Sequence, residues 1–313
     1  MKIEEAFEIL QRCPYYFEEE EIEFNTYERV YGRHTLAEYW IMKYKTAPPS
    51  AICYDSIDLC VFWIRECESV PPYQIRRDVY EYDTFGYTCA MRWIQYVKKD
   101  IPPLLRHNPD IVSTNDDICF QLWLKQVRTT PPQYLIPTND ENKFRCAHTW
   151  CVLMKTPIPD YLIPNNDKYK YELAKYWLLF LDSLPPPYLY HNTSYKVKDR
   201  DTNLGMAWIY RYKSLPPEQF REDPNFRNWL GETCAMIWLR YCVDPLPTEL
   251  YHDPTIKNYY GETLAMKWIS KLHTIPPSSL LHDPSIKNNN GHTCASYWNI
   301  YVKTPVPECL LVH

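Results

Sequence analysis

The sequence predicts an all-α protein, a solenoid of about ten to eleven helical-hairpin repeats. Three observations predict it: Trp recurs mostly every 30 residues, an apolar residue stands twelve positions after each Trp, and prolines stand seven to ten positions after it. Such a period is typical of arrays in which each unit buries its apolar face against its neighbours. Ten of the eleven Trp form this ladder: Trp40, Trp63, Trp93, Trp123, Trp150, Trp177, Trp208, Trp238, Trp268 and Trp298.

We therefore expect a single repeat-solenoid domain over residues 1–313, with 1–31 as an N-terminal capping unit and 32–313 as ten repeats. In the capping unit, Ile3, Phe7 and Leu10 share one helical face, and Pro14 and Phe17 follow as in later units. The acidic run at 18–21 is either a solvated turn or an acidic recognition spot.

One repeat shows the predicted elements. Its first helix has about eleven residues, because the apolar residues from 264 to 272 recur at steps of three and four. Thr263 is expected to cap it, and Pro276 with Pro277 to end it. A second helix of about seven residues, PPSSLLH, is expected next, because proline suits a first helical position. The polar excursion DPSIKNNNG then leads to the next repeat.

Repeat length predicts where these excursions are missing. The unit from Trp40 to Trp63 is seven residues short, and the units from Trp123 to Trp150 and from Trp150 to Trp177 are three residues short. We expect the row of excursion tips to be interrupted there, leaving an N-terminal and a C-terminal part.

Composition excludes two classes of function. With 45% apolar residues the chain can bury a large core, and with a net charge of -5 it lacks the basic surface that nucleic acid requires. No apolar run is long enough to cross a bilayer, and the acidic start MKIEEAFEIL is unlike a signal peptide. We expect a cytoplasmic or nuclear protein that binds neither nucleic acid nor membrane.

The sequence Gly, any residue, Thr, followed by two helices and an Asp-led excursion, resembles the ankyrin repeat. It occurs as Gly86-Tyr-Thr88, Gly231-Glu-Thr233, Gly261-Glu-Thr263 and Gly291-His-Thr293, and imperfectly at Gly32. The chain departs from the family in its shorter unit, in a Trp where the family prefers Ala, and in Pro-Pro where the family has Gly. The resemblance implies an interaction scaffold that binds proteins along its concave face, through the tips and the first helices. A divergent helical solenoid of another kind is the alternative.

The cysteines favour packing over metal or disulfide chemistry. Five of the twelve stand four residues before a ladder Trp, where other repeats have Leu: Cys89, Cys119, Cys146, Cys234 and Cys294. No pair has metal-ligand spacing, so we expect reduced thiols in a reducing compartment, with no metal and no cofactor.

The chain shows no enzyme motif. His252 and His282 stand in repeated His-Asp-Pro segments, and a residue copied between repeats is typical of a turn rather than of acid-base catalysis. There is no nucleophile elbow, phosphate loop or zinc motif. We therefore expect no catalytic residues and a non-enzymatic function.

The excursion tips are the candidate binding site, because they vary where the packing positions stay constant. Aromatic and Arg side chains are the types that dominate interface energetics. The alternative is that some of these rings only cover seams between repeats. The candidates are Tyr80, Tyr82, Phe85, Phe226, Trp229, Tyr259 and Tyr260, interleaved with the cations Arg227, Lys257 and Lys287.

The leading hypothesis is a scaffold that binds a protein partner along this tip edge. The alternative is a structural subunit of a larger assembly that packs through its solenoid ends, since Leu310 and Leu311 have no polar cap after them.

Overall fold

A computed structural model describes residues 2–12, 25–30, 34–54, 56–190, 202–221, 223–281 and 283–311. Pro14, Phe17, the acidic run at 18–21, Gly32 and His282 lie outside the described residues. Contacts between Cα atoms divide the chain into two compact units, Met1–Pro164 and Asn165–His313. A single continuous domain over residues 1–313 stays a prediction.

Unit 1 is a series of helices in which each packs on the next along the chain. The N-terminal α1 contacts α2, where Phe7 meets the ring of Tyr39 edge-on at 4.5 Å and Leu10 is fully buried. The helices are α1 (Ile3–Arg12), α2 (Leu36–Tyr44), α3 (Ile57–Cys67), α4 (Cys89–Tyr96), α5 (Cys119–Gln126) and α6 (Asp140–Met154).

Unit 2 repeats the same arrangement of neighbouring helices. Its helices are α7 (Asp167–Phe180), α8 (Leu204–Tyr212), α9 (Cys234–Tyr241), α10 (Leu264–Leu272) and α11 (Cys294–Tyr301). The part of the chain that the structure describes contains no strand; isolated bridges occur, such as the antiparallel bridge between Val30 and His34. The prediction of an all-α helical repeat solenoid is confirmed.

Each ladder Trp donates an indole hydrogen bond to the turn that follows its helix, here called the corner. The Trp268 indole Nε1 donates to Thr274 Oγ1, six residues later, at 3.0 Å. His273 between them ends the helix in the left-handed region, at φ 57°, and eight of the ten repeats have a residue of positive φ at this position. The ten indoles donate to eleven acceptors, since Trp93 donates to two: the hydroxyls of Thr46, Ser69, Thr129, Thr156, Ser183, Ser214, Thr274 and Thr304 and the carbonyls of Lys99, Asp100 and Asp244.

The predicted second helix of seven residues is wrong, because only one short 3₁₀ turn forms after the prolines. A proline stands nine residues after every ladder Trp, and Pro277 is extended at ψ 146°. Its carbonyl accepts the Leu280 N–H at 2.9 Å, and the turn ends there. Nine such turns are described: Ser50–Ile52, Pro103–Leu105, Gln133–Leu135, Asp160–Leu162, Pro187–Leu189, Glu218–Phe220, Thr248–Leu250, Ser278–Leu280 and Glu308–Leu310.

The short turn places the residue twelve after each Trp in the core, as the sequence predicts. All ten are at most 4% exposed: Ile52, Ile75, Leu105, Leu135, Leu162, Leu189, Phe220, Leu250, Leu280 and Leu310. Thr263 caps α10 as predicted, by accepting the Met266 N–H at 3.4 Å.

The tips are tight turns built around a buried Asx side chain. In the turn before α10, Asn258 Oδ1 accepts the N–H groups of Tyr260 and Glu262, both at 2.9 Å. Gly261 stands at φ 76°, where a Cβ would lie 2.6 Å from the Asn289 nitrogen, so glycine is needed there. Asp83, Asn228 and Asn288 make the same turn in their repeats.

The tip is absent where repeats are three residues short. There α6 and α7 begin ten residues before their Trp, instead of four as in most repeats, and Asn139 and Asn166 cap them. The predicted interruption of the tip row therefore results from longer helices that replace the excursion.

Candidate functional site: two grooves beside the tips

In unit 2, backbone hydrogen bonds join successive tips. The Tyr259 N–H donates to the Leu230 carbonyl at 2.7 Å, and the Asn289 N–H donates to the Tyr260 carbonyl at 3.1 Å. The tips that carry Trp229, Tyr259 and Asn289 are therefore hydrogen-bonded to one another in series.

The predicted tip aromatics of unit 2 are exposed, with one exception. Trp229, Tyr259 and Tyr260 are 69%, 72% and 55% exposed. The rings of Tyr259 and Tyr260 meet edge-on at 5.5 Å. Phe226 instead packs against the core, so for this ring the seam-covering alternative holds.

The three predicted cations are exposed, but one of them is engaged. Lys257 Nζ donates to the Lys287 carbonyl at 3.0 Å, which ties one tip to the next. Arg227 and Lys287 lie on the exposed surface of their turns. Lys257 therefore has a structural contact in addition to any role in binding.

Beside Trp229, the first helices of unit 2 form a groove of about 400 Å³, here called the aromatic groove. Tyr210 is 58% exposed there, and its ring meets that of Tyr241 edge-on at 5.1 Å. The apolar lining of the aromatic groove includes Tyr176, Leu179, Met206, Tyr210, Trp229, Leu230, Ile237 and Tyr241.

The charged residues of the aromatic groove are paired with each other. Lys175 lies 2.7 Å from Glu172. Glu232, with a side chain only 2% exposed, pairs with Arg240 on one side and with Lys267, at 3.4 Å, on the other. The groove therefore offers a ligand apolar surface and few unpaired charges.

A second carboxylate extends this network beyond the groove. Tyr297 donates its hydroxyl to Glu262 Oε1 at 2.6 Å, and Lys267 Nζ lies 3.4 Å from Oε2. Burial alone would raise the pKa of Glu262, but the hydrogen bonds from Tyr297 and Asn258 and the charge of Lys267 hold that pKa below its ordinary value. Glu262 is therefore ionised, and its carboxylate joins Tyr297, Asn258 and Lys267 in one network.

In unit 1 the predicted tip aromatics are also exposed. Tyr80, Tyr82 and Phe85 are 52%, 44% and 69% exposed. The Tyr82 hydroxyl donates to the Val112 carbonyl at 3.2 Å, and the Tyr80 ring lies 6.3 Å from that of His107. Of the three, Phe85 lines a groove of unit 1 that Tyr80 and Tyr82 do not line.

That groove, of about 550 Å³, is here called the charged groove. Arg92 is its central cation: Nε lies 2.5 Å from Asp83 Oδ2, and the guanidinium lies 4.5 Å from the centre of the Tyr87 ring and 5.4 Å from that of Phe85. The ionisable residues that line the charged groove are Tyr27, Arg29, His34, Glu38, Tyr54, Asp58, Arg65, Asp83, Arg92 and Tyr96.

Sequence reasoning missed the helix residues of both grooves. They stand one residue before the ladder Trp, as Arg92 and Ile237 do, or two and three residues after it, as Tyr210 and Tyr241 do. The available signal was variation between apolar and charged residues at these positions while the Trp stayed constant.

The repeated cysteines lie in the core, as predicted. Cys89, Cys119, Cys146 and Cys294 are buried, Cys234 is half-buried, and every cysteine in the described residues is a free thiol. Burial raises the pKa of the Cys119 thiol to about 12, which keeps it protonated.

The histidine of the His-Asp-Pro segment is buried in a turn. His252 Nδ1 lies 2.7 Å from the Asp253 carbonyl oxygen, and burial lowers the pKa of its ring although that hydrogen bond opposes the shift. His107 occupies the same repeat position, and its Nε2 lies 2.8 Å from Thr88 Oγ1. Across the described ranges, no three His, Cys, Asp or Glu side chains are grouped to hold a metal ion.

Comparison with known proteins adds no relative. No protein-family model matches the chain, and no curated protein matches it significantly. None of the helices in the described residues combines the length and the apolar character needed to cross a membrane.

Proposed function

We propose that the chain is a non-enzymatic protein-interaction scaffold of a reducing intracellular compartment, which binds a protein segment in the aromatic groove and along the adjoining tips. The observation that carries the proposal is the exposure of Trp229 and Tyr210 at 69% and 58% in one groove. Trp and Tyr are enriched among residues that dominate binding energy.

The chemistry of the groove indicates what the partner offers. Its charges are paired internally, through Lys175 with Glu172 and through Glu232 with Arg240. A phosphate or carboxylate would have to displace these pairs, whereas an apolar side chain only has to cover the rings. A volume of about 400 Å³ accommodates such an anchor. The partner is therefore a protein segment that presents a large apolar residue.

The test uses the full chain as bait in native lysate, with bound proteins identified by mass spectrometry. The groove variant carries Trp229→Ala and Tyr210→Ala, and the tip variant carries Tyr259→Ala and Tyr260→Ala. The matched control is Tyr188→Ala, which removes an aromatic ring that is 49% exposed in the same unit but outside the groove.

We expect one partner to bind the unmodified chain and the control but to be lost, by tenfold or more, with the groove variant. Loss with the tip variant alone would restrict the site to the tip edge. Retention of every partner by both variants would overturn the proposal.

A further inference from the structure

The seam between α3 and α4 brings two thiols into contact. The Sγ atoms of Cys60 and Cys89 lie 2.9 Å apart, and the two residues are 0% and 2% exposed. At this distance one S–H donates to the other sulfur. The two cysteines come from consecutive helices, so the contact spans two repeats.

The other repeats show that packing does not require this pair. The residue three before a ladder Trp faces the residue four before the next Trp: a Cβ at Gly205 would lie 3.3 Å from Cys234 Sγ. Ala occupies the first of these positions in seven repeats, with Gly205 and Phe120 in two more. Cys60 is the single Cys at that position, so only here does a thiol face a thiol.

The surroundings make one thiol the better nucleophile. The pKa of Cys60 is lowered by the hydrogen bond from Cys89, against the effect of burial, and further by the Arg77 backbone and the charges of Arg76 and Arg77. The pKa of Cys89 is raised by its hydrogen bond with Cys60 and by burial. Arg76 Nε is buried with no acceptor in the described residues, so a thiolate would supply a counter-charge.

We propose that Cys60 and Cys89 are a covalent modification site, oxidised to an intramolecular disulfide by hydrogen peroxide. The Cys60 thiolate attacks one peroxide oxygen, breaking the O–O bond and giving a sulfenic acid and hydroxide, which takes a proton to become water. The Cys89 sulfur then attacks the sulfenic sulfur, forming the S–S bond and releasing a second water. Two thiols are oxidised and one peroxide is reduced to two waters.

The modification acts on the charged groove. Phe62 and Arg65 of α3 and Arg92 and Tyr96 of α4 line it, on the same helices that carry the two cysteines. A bond between α3 and α4 fixes these two walls relative to each other. The inference concerns unit 1 and does not depend on the function proposed for the aromatic groove.

The test uses the full, reduced chain in its folded state. It is exposed to a small excess of hydrogen peroxide, quenched, alkylated under denaturing conditions, digested without reductant and mapped by mass spectrometry. We expect a peptide that joins Cys60 to Cys89, 2 Da lighter than the two reduced peptides together and released by reductant. Cys119, which faces Ala90 at the equivalent seam, should remain fully alkylated.

Cys60→Ala is the matched variant, because seven repeats already have Ala at that position. In it the cross-linked peptide should be absent and Cys89 should be alkylated. The map of the unmodified chain decides the matter even if this variant folds poorly. The proposal is overturned if Cys60 and Cys89 stay separately alkylated, or are oxidised without joining, under conditions that oxidise the exposed Cys309.

Discussion

The charged groove of unit 1 and the aromatic groove of unit 2 use the same repeat positions for different chemistry. Two residues after the ladder Trp stands Arg65 in one and Tyr210 in the other, and one residue before it stands Arg92 or Ile237. The Trp, the corner and the buried residue twelve positions later are common to both. The constant residues build the frame, and the positions beside the Trp determine whether each groove is lined by apolar or by charged side chains.

The tip turns differ in the same way. Asp83 and Asn258 both use Oδ1 to accept two backbone N–H groups. The second side-chain atom differs: Asp83 Oδ2 accepts from Arg92 in unit 1, whereas Asn258 Nδ2 donates to Glu262 at 2.9 Å in unit 2. Acid and amide are therefore interchangeable for the turn but not for the second contact, which is with Arg92 in unit 1 and with Glu262 in unit 2.

The largest expected effect tests whether the frame is common to both units. Leu105→Ala in unit 1 and Leu280→Ala in unit 2 each remove a side chain that is at most 2% exposed. We expect each to lower the free energy of unfolding by about 2–5 kcal/mol, because a cavity remains. Urea denaturation followed by circular dichroism measures both. A cost below about 1 kcal/mol at either position would contradict a shared frame.

A smaller effect on the free energy of unfolding is expected when the turn is kept and only the second side-chain contact is lost. Asp83→Asn keeps the turn but loses the Arg92 ion pair, and Asn258→Asp places a carboxylate against Glu262. We expect each to cost about 1–3 kcal/mol, because a buried polar partner is lost or repelled. The matched controls are the truncations Asp83→Ala and Asn258→Ala, which also remove the turn and should cost more. If Asp83→Asn and Asn258→Asp leave the free energy of unfolding unchanged in the same denaturation experiment, the second contact contributes nothing to stability.

Acidification is expected to have a weaker effect, with the same sign in both units. Burial holds the pKa of His107 and His252 below the ordinary value of 6.5. The unfolded chain therefore takes up protons first as the pH falls through 6.5, and stability declines until the pH reaches the folded-state pKa. The urea concentration at the unfolding midpoint should therefore fall as the pH is lowered from 7.5 to 5. His252→Gln, neutral throughout, should flatten part of that slope, and an unchanged slope would remove His252 as a contributor.

The smallest expected effect on stability is at the candidate site itself. Trp229→Ala should change the free energy of unfolding by no more than about 0.5 kcal/mol, because the ring is exposed. Equal urea midpoints together with lost partner binding would separate binding from folding. A drop above about 1 kcal/mol would instead assign Trp229 to the frame.

The frame was predictable because constant spacing reports packing. The ladder Trp, the buried residue at plus twelve and the Thr263 cap all follow from periodicity in the sequence. The helix after Pro277 was mispredicted, because proline allows a first helical position without supplying the residues that extend it. Here only three residues follow before the chain turns away, and a 3₁₀ turn is all that fits.

The candidate site was predicted in part. Variation before Gly231 and Gly261 pointed to exposed rings, and Trp229 and Tyr259 are exposed. Tyr210 and Tyr241 escaped notice because helical periodicity alone does not tell which flank of a helix adjoins the tip. Their place in the groove depends on contacts between repeats, and a one-dimensional pattern does not contain those contacts.

The indole hydrogen bond has a consequence for how such a chain can change in length. The residues that form one corner lie within ten consecutive positions: Trp268, its acceptor Thr274 and the following Pro277. Each corner is therefore specified by one short stretch of the sequence. Duplicating or deleting a whole 30-residue block moves that stretch intact and recreates the same junction. A change of length by one whole block therefore leaves every corner with its indole donor, its acceptor and its proline.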